Sequence, residues 1–165
     1  QWKIALLIVS RLEHEKNVEL AISALNAARD AGHDVGLTIV GYGSEQEKLK
    51  TQVRALGLDR FVVFAGEGDP KRYYASADAV LVPSFYEGYS MVTIEALSAG
   101  IPVIATDVGI AREAGAIVTS ERDFAKTLIR WIESGPRQGS LASYPYTSFE
   151  QYVQLYCSDL KATQS

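Results

Sequence analysis

Two glutamates stand eight residues apart in "FYEGYSMVTIEALSAGIPV", residues 85–103: Glu87 and Glu95. Glu87 follows the turn-prone "PSFY". Glu95 lies on a helical stretch, sharing a face with Met91, Val92 and Ala99. That pattern places Glu95 on the buried side of a helix, where an unpaired carboxylate is costly. Such a group needs a salt bridge, backbone hydrogen bonds or a ligand. A pair of hydroxyls on a sugar is the sharpest candidate ligand, because one carboxylate accepts two hydrogen bonds at once. Paired acids also suggest glycoside hydrolysis. However, eight residues of continuous helix separate them by about 12 Å along the axis, whereas hydrolase pairs lie about 5 to 9.5 Å apart. Two acids reading two parts of one long ligand fits better.

Other residues add phosphate chemistry. Ser90 reads as the N-cap of the Glu95 helix, and Gly100 with Pro102 as its end. The helix start beside Gly88 offers free backbone N–H groups and a positive dipole end, a natural phosphate site. "SRLEHEKN" supplies Arg11 and Lys16, each able to make charge-assisted bonds to phosphate oxygens. "VGYGSEQEKL" supplies Gly41 and Gly43, where the backbone can approach a neighbour closely. His14 reads as surface, His33 as a turn residue, and Tyr73, Tyr74 and Tyr86 as packing groups.

These pieces must be held at one edge of a sheet. Apolar runs at 4–10, 36–41, 61–65, 79–83, 102–106 and 115–118 are mostly continuous, as in strands covered on both faces. Between them lie helical stretches at 17–31, 44–56, 70–76, 90–99 and 121–134. This alternation predicts an α/β, Rossmann-like, doubly wound parallel sheet with helices on both faces. The basic, glycine-rich and glutamate loops then all leave the carboxyl edge, where such sheets bind ligands. A linker is expected at 135–147 and a terminal helix at 147–163, within a single domain of residues 1–165.

Composition removes several function classes. The 165 residues are 47% hydrophobic and 22% charged, the balance of a globular domain. A net charge of −4 argues against a nucleic-acid surface, and no run is long enough to span a bilayer. Cys157 is the single cysteine, which excludes an internal disulfide and fits a reducing, cytoplasmic setting. Gln1, Trp2 and Lys3 lead straight into the first apolar run with no signal peptide, so the chain is expected to be a domain of something longer. "GYGSEQ" lacks the third glycine of a dinucleotide fingerprint and follows the second strand, against a nicotinamide oxidoreductase. The first strand ends without the acidic cluster of a receiver-type signalling domain. With no Asp-x-Asp pair and no His/Cys cluster, no metal and no cofactor are expected.

The ordered set "SRLEHEKNVELAISAL", "IVGYGSEQEKL", "VVFAGE", "ADAVLVPSFYEGYSMVTIEALSAGIPVIATDVG" and "SFEQYVQLY" resembles the carboxyl-terminal domain of GT-B fold glycosyltransferases, nearest to the retaining enzymes of glycosyltransferase family 4. The likeness runs from about residue 4 to 110 and resumes in the last helix. It implies a donor-binding half whose ligand is a nucleoside diphosphate sugar. Arg11 and Lys16 would hold the diphosphate, and Glu87 would hold hydroxyls of the transferred sugar; these three are the catalytic candidates. Glu95 would hold the ribose hydroxyls, and amides of Gly88, Tyr89, Ser90 and Met91 would meet sugar and phosphate. Gly41 and Gly43 would border the donor, and backbone at Gly66 and Glu67 the base. The partner implied is an absent amino-terminal acceptor domain of the same chain, so this piece alone is expected not to transfer. Peripheral membrane association of the longer protein stays open. Tyr89 stands where the family more often has Phe. Ile110 and "AREAG" stand where it usually has a second glycine, which puts sugar contacts from that loop in question. A sugar-nucleotide epimerase and a non-catalytic nucleotide-binding or scaffold domain are the rival readings.

Overall fold

The computed structural model describes residues 2–142. It contains strands β1 (Ile4–Val9), β2 (Val35–Val40), β3 (Val62–Gly66), β4 (Ala79–Val82), β5 (Val103–Thr106) and β6 (Ile117–Thr119). The helices are α1 (Val18–Asp30), α2 (Gln46–Ala55), α3 (Pro70–Tyr74), α4 (Met91–Ser98), α5 (Ala111–Ala114) and α6 (Phe124–Ser134). The strands form one parallel sheet in the order β3-β2-β1-β4-β5-β6. The predicted doubly wound sheet is therefore present, with element ends displaced by three residues at most. The sequence pattern does not anticipate two short elements, a 3₁₀ turn at His14–Lys16 and the four-residue α5.

Continuous apolar strands arise because both faces are covered. β1 sends Leu6 and Ile8 into one core and Leu7 into the other, each 1% exposed. The first core is closed by Ala21, Ile22 and Leu25 of α1, Leu49 and Val53 of α2, and Phe124, Leu128 and Trp131 of α6. The second is closed by Tyr74 of α3, Ala96 and Leu97 of α4, and Ala111 and Ala114 of α5. The order in which successive strands are added reverses between β1 and β4, so the connections from their carboxyl ends run to opposite sides there and leave a crevice.

The start of the expected linker lies against the domain. Trp131 Nε1 donates to Pro136 O at 2.9 Å, Gly139 N to Gly100 O at 2.8 Å, and Ala142 N to Ala114 O at 2.9 Å. Residues 143–147 and the expected helix at 147–163 lie outside the described residues.

The loops after β1 and β2 are stitched backbone to backbone. Leu12 N donates to Tyr42 O at 2.8 Å, Glu45 N to Leu12 O at 2.9 Å, and Gly41 N to Gly66 O at 2.8 Å. A Cβ on Gly41, at φ +127°, would lie 1.9 Å from Ser10 O, and one on Gly43 would lie 2.3 Å from Leu12 O. The close approach these glycines allow is thus first to a neighbouring loop. Gly41→Ala is expected to cost more than about 2 kcal/mol of unfolding free energy, combining strain with a backbone clash. Gly57→Ala, at φ +67° with nothing within 4 Å of its Cβ, should cost only about 1 kcal/mol. Urea titration of both variants checks this; equal losses would mean that the loop contact is not rigid.

Candidate functional site

The crevice between β1 and β4 is built from two loops. After β1 the chain turns through His14–Lys16, with Lys16 N bonded to Glu13 O at 2.9 Å. After β4 it runs through Pro83–Ser90 into α4. Phe85 N donates to Glu15 O at 2.9 Å, so the loops clasp through their backbones. Their side chains meet as well: Lys16 Nζ donates to Glu87 Oε2 at 2.9 Å, with the two side chains only 16% and 14% exposed. Glu87 Oε1 accepts from Ser84 Oγ at 2.7 Å. Ser84 is itself buried, and its carbonyl accepts from Thr106 Oγ1 at 2.6 Å, which ties the β4 end to β5. A cavity of about 200 Å³ opens on this cluster, lined by Ser10, Arg11, Lys16, Glu87, Ser90 and Met91 among others. Ser10 Oγ is buried there without a hydrogen-bond partner among the described residues.

The second glutamate departs from expectation. Glu95 is exposed, and Met91 on its face is 57% exposed. The buried stripe of α4 is Thr93, Ala96 and Leu97. The helix carries apolar residues on every side, so spacing alone could not say which side meets the sheet. Glu95 is nevertheless held, because Tyr74 Oη donates to its Oε2 at 2.9 Å. Burial first, and the Glu95 carboxylate second, push the Tyr74 hydroxyl well above the ordinary tyrosine range, so it stays a donor. Glu95 opens into a separate cavity of about 720 Å³ between α3 and α4, lined by Asp69, Lys71, Tyr74, Ser98 and Ala99. The two glutamates therefore face different spaces.

Ser90 occupies the N-cap position of α4, but its side chain caps no backbone N–H. Its Oγ pairs instead with Thr93 Oγ1 at 2.8 Å, and its φ is +72°. This corrects the side-chain capping expected from sequence: with left-handed backbone the hydroxyl turns to Thr93 rather than to the first N–H groups of α4. Among the described residues the other non-glycine with positive φ is Asn17, at +47°, directly after Lys16. Both strained positions flank the site, a recurrent mark of functional loops.

The remaining candidates are spread more widely. Arg11 reaches the crevice rim, 73% exposed, with Nη2 3.2 Å from Glu15 Oε1. A Cβ on Gly88 would meet nothing within 4 Å, so that backbone is open to approach. Tyr89 O accepts from Ile110 N at 3.3 Å, docking the β5 loop on the glutamate loop. Gly66 serves the loop stitching, while Glu67 is exposed and lines neither cavity. Tyr86, expected as a packing group, is instead 70% exposed in the loop between β4 and α4. His14 lies on the surface beside Phe85, ring centroids 5.2 Å apart. Ser84, Thr106 and the strut role of Tyr74 escape sequence reasoning; only the short "PS" before the glutamate loop hints at the first. Among the described residues no group of three or more His, Cys, Asp or Glu side chains could hold a metal ion, and no helix is long and apolar enough to cross a membrane.

Relatives share this region. A glycosyltransferase of Methanocaldococcus jannaschii described as uncharacterized is 38% identical over 107 residues, covering 63% of this chain and 27% of that protein. A glycogen synthase of Mycobacterium tuberculosis is 39% identical over 107 residues, covering 63% of this chain and 26% of its own length. The chain thus spans about a quarter of the curated relatives it matches. Among solved structures, HepE of Anabaena in complex with UDP-glucose superposes with a TM-score of 0.71 at 27% identity, covering 79% of this chain and 39% of that one. The pneumococcal O-GlcNAc transferase GtfA, in complex with UDP and GlcNAc, shares the fold with a TM-score of 0.73 at 20% identity, covering 81% of this chain and 29% of that one. Residues 2–146 match the family described as glycosyl transferases group 1, and with that span covering both cores and both glutamates, the chain belongs to that family.

Proposed function

We propose that this domain binds the donor of a retaining glycosyltransferase, a nucleoside diphosphate sugar, and that the longer protein moves its sugar to an acceptor in the cytoplasm. The observation that carries the reading is the Lys16–Glu87 pair at the strand-order reversal, with Glu95 facing the neighbouring cavity. A ligand reaching both cavities would meet a cation, the start of α4 and two carboxylates. The solved relative with UDP-glucose supports the ligand class.

In this reading Lys16 and Arg11 neutralise the diphosphate, and Glu87 accepts hydroxyls of the transferred sugar. Glu95 accepts ribose hydroxyls. Open backbone at Gly88 and the start of α4 face sugar and phosphate, Gly41 and Gly43 set the loop that borders the donor, and backbone at Gly66 and Glu67 borders the base. Bond breaking between sugar and diphosphate builds negative charge on the leaving oxygen. Fixed cations and the positive end of α4 stabilise that charge as it develops. Catalysis also needs the acceptor held in place, a task for a further domain. An epimerase would release a changed sugar nucleotide without any acceptor, and a scaffold would leave the donor intact, so product analysis on the longer protein separates the three.

The two glutamates should fail differently. Losing a charged hydrogen-bonding partner costs about 1.5 to 3 kcal/mol, roughly 10- to 150-fold in affinity. Glu95→Ala should weaken free nucleoside diphosphate and nucleotide sugar alike. Glu87→Ala should weaken chiefly the sugar-bearing ligand. Because Glu87→Ala also strips the counter-ion from a largely buried Lys16, its melting temperature should fall, and calorimetry belongs well below it. Identical losses for both ligands in both variants would sink the division of labour.

Donor binding should also survive chelation. The cations proposed for the diphosphate are side chains, so EDTA should change affinity by less than about twofold, within the scatter expected of a site with no inner-sphere metal. Loss of binding in EDTA, restored by Mg²⁺ or Mn²⁺, would show that the phosphate charge is met by a metal instead.

A further inference from the structure

We propose that Tyr74 is a positioning residue: by fixing the Glu95 carboxylate it makes the nucleotide cavity discriminate ribose from 2′-deoxyribose. This rests on the reading of Glu95 as the ribose acceptor. Tyr74 closes α3, and its ring is 7% exposed in the core shared with Ala96 and Leu97 of α4. Its hydroxyl reaches Glu95 Oε2 at 2.9 Å across 21 residues of sequence. The donor is rigid because the ring is packed, whereas the acceptor sits on an exposed helix face. Among the described residues no Lys or Arg pairs with Glu95.

The geometry divides the carboxylate. Oε2 spends one lone pair on Tyr74, leaving Oε1 and the rest of Oε2 for the cavity of about 720 Å³. That volume suits a nucleoside-sized guest. A vicinal diol offers two O–H donors to such a carboxylate, and a 2′-deoxyribose offers one. A carboxylate that cannot shift feels the missing donor, because an oxygen placed for it stays unpaired. A carboxylate freed from Tyr74 samples several rotamers, must be ordered by the ligand, and can swing to whichever hydroxyl remains. The strut therefore raises both affinity for ribose and intolerance of its deoxy form.

The experiment is calorimetry of UDP, GDP and ADP, each against its 2′-deoxy form, on the parent protein, Tyr74→Phe, Glu95→Ala and the double variant. Tyr74→Phe keeps the buried ring, so only the hydroxyl is lost. Ribonucleotide affinity should fall about 2- to 10-fold, the scale of ordering one side chain, while 2′-deoxynucleotide affinity stays nearly unchanged. On the Glu95→Ala background the same substitution should change neither. Equal losses for both forms would make Tyr74 merely structural and overturn the proposal, as would a full effect that persists without Glu95. Glu95→Asp, which withdraws the carboxylate by one methylene from Tyr74, should also lose discrimination; full retention there counts against the strut. If the parent binds both forms alike, or Glu95→Ala leaves ribonucleotide affinity intact, the ribose reading itself fails and the inference falls with it. A parent that discriminates beside a Tyr74→Phe variant that discriminates equally defeats the Tyr74 inference alone.

Discussion

The Lys16–Glu87 ion pair is the constraint around which the carboxyl edge is arranged. Its partners come from loops 71 residues apart in sequence, and they meet only because β1 and β4 are sheet neighbours. At 16% and 14% exposure the pair is mostly shielded from water, so the attraction is stronger than at the surface and an unpaired survivor would be costly. The surroundings are organised to keep both charges in place. Ser84 satisfies the second Glu87 oxygen, Thr106 holds Ser84, and Phe85 N fastens the glutamate loop to Glu15. Left-handed backbone at Asn17 and Ser90 is the local strain this arrangement carries.

The same edge treats its two glutamates in opposite ways. Glu87 has both oxygens met by the chain, whereas Glu95 has one oxygen oriented and the rest open. On the proposed reading this difference is useful. An ammonium carries three donors, so Lys16 can keep its bond to Glu87 and still turn toward a phosphate. The acid nearest the reacting sugar is then fixed by protein before the ligand arrives. The acid nearest the nucleoside is aimed by Tyr74 but left to complete its hydrogen bonds with the ligand. Their separate cavities argue against a shared reaction centre between the two acids.

Fold and site differ in how far sequence alone exposes them. The sheet was legible because runs such as "IALLIV" and "AVLV" are apolar without alternation, which only two-sided burial tolerates. Arg11, Lys16, Glu87 and Glu95 were legible as chemistry at strand ends, and the structure gathers Arg11, Lys16 and Glu87 at one crevice. The orientation of α4 was not. With Met91, Val92, Ile94, Ala96 and Leu97 spread around eight residues, the apolar stripe is degenerate, and the sheet rather than periodicity decides which face is hidden. Ser90 shows the same limit at one residue: its type predicts a cap, but a φ of +72° sends the hydroxyl to Thr93. Tyr74 reads as packing from its type, and it is; that its hydroxyl also bonds Glu95 is a contact made only by the folded chain.

The two basic residues of the first loop are not equivalent, although sequence presents them as a pair. Lys16 is set by a short bond in a shielded place, so on the proposed reading little side-chain entropy would remain to be lost on binding a phosphate. Arg11 is 73% exposed and leans on Glu15, itself 40% exposed. An ion pair so exposed contributes about 0 to 1 kcal/mol, and exchanging Glu15 for a phosphate in open water gains little. In the domain as it stands, Lys16 supplies the preorganised charge. On the proposed reading, Arg11 would therefore contribute less than Lys16 to holding the phosphate in this domain.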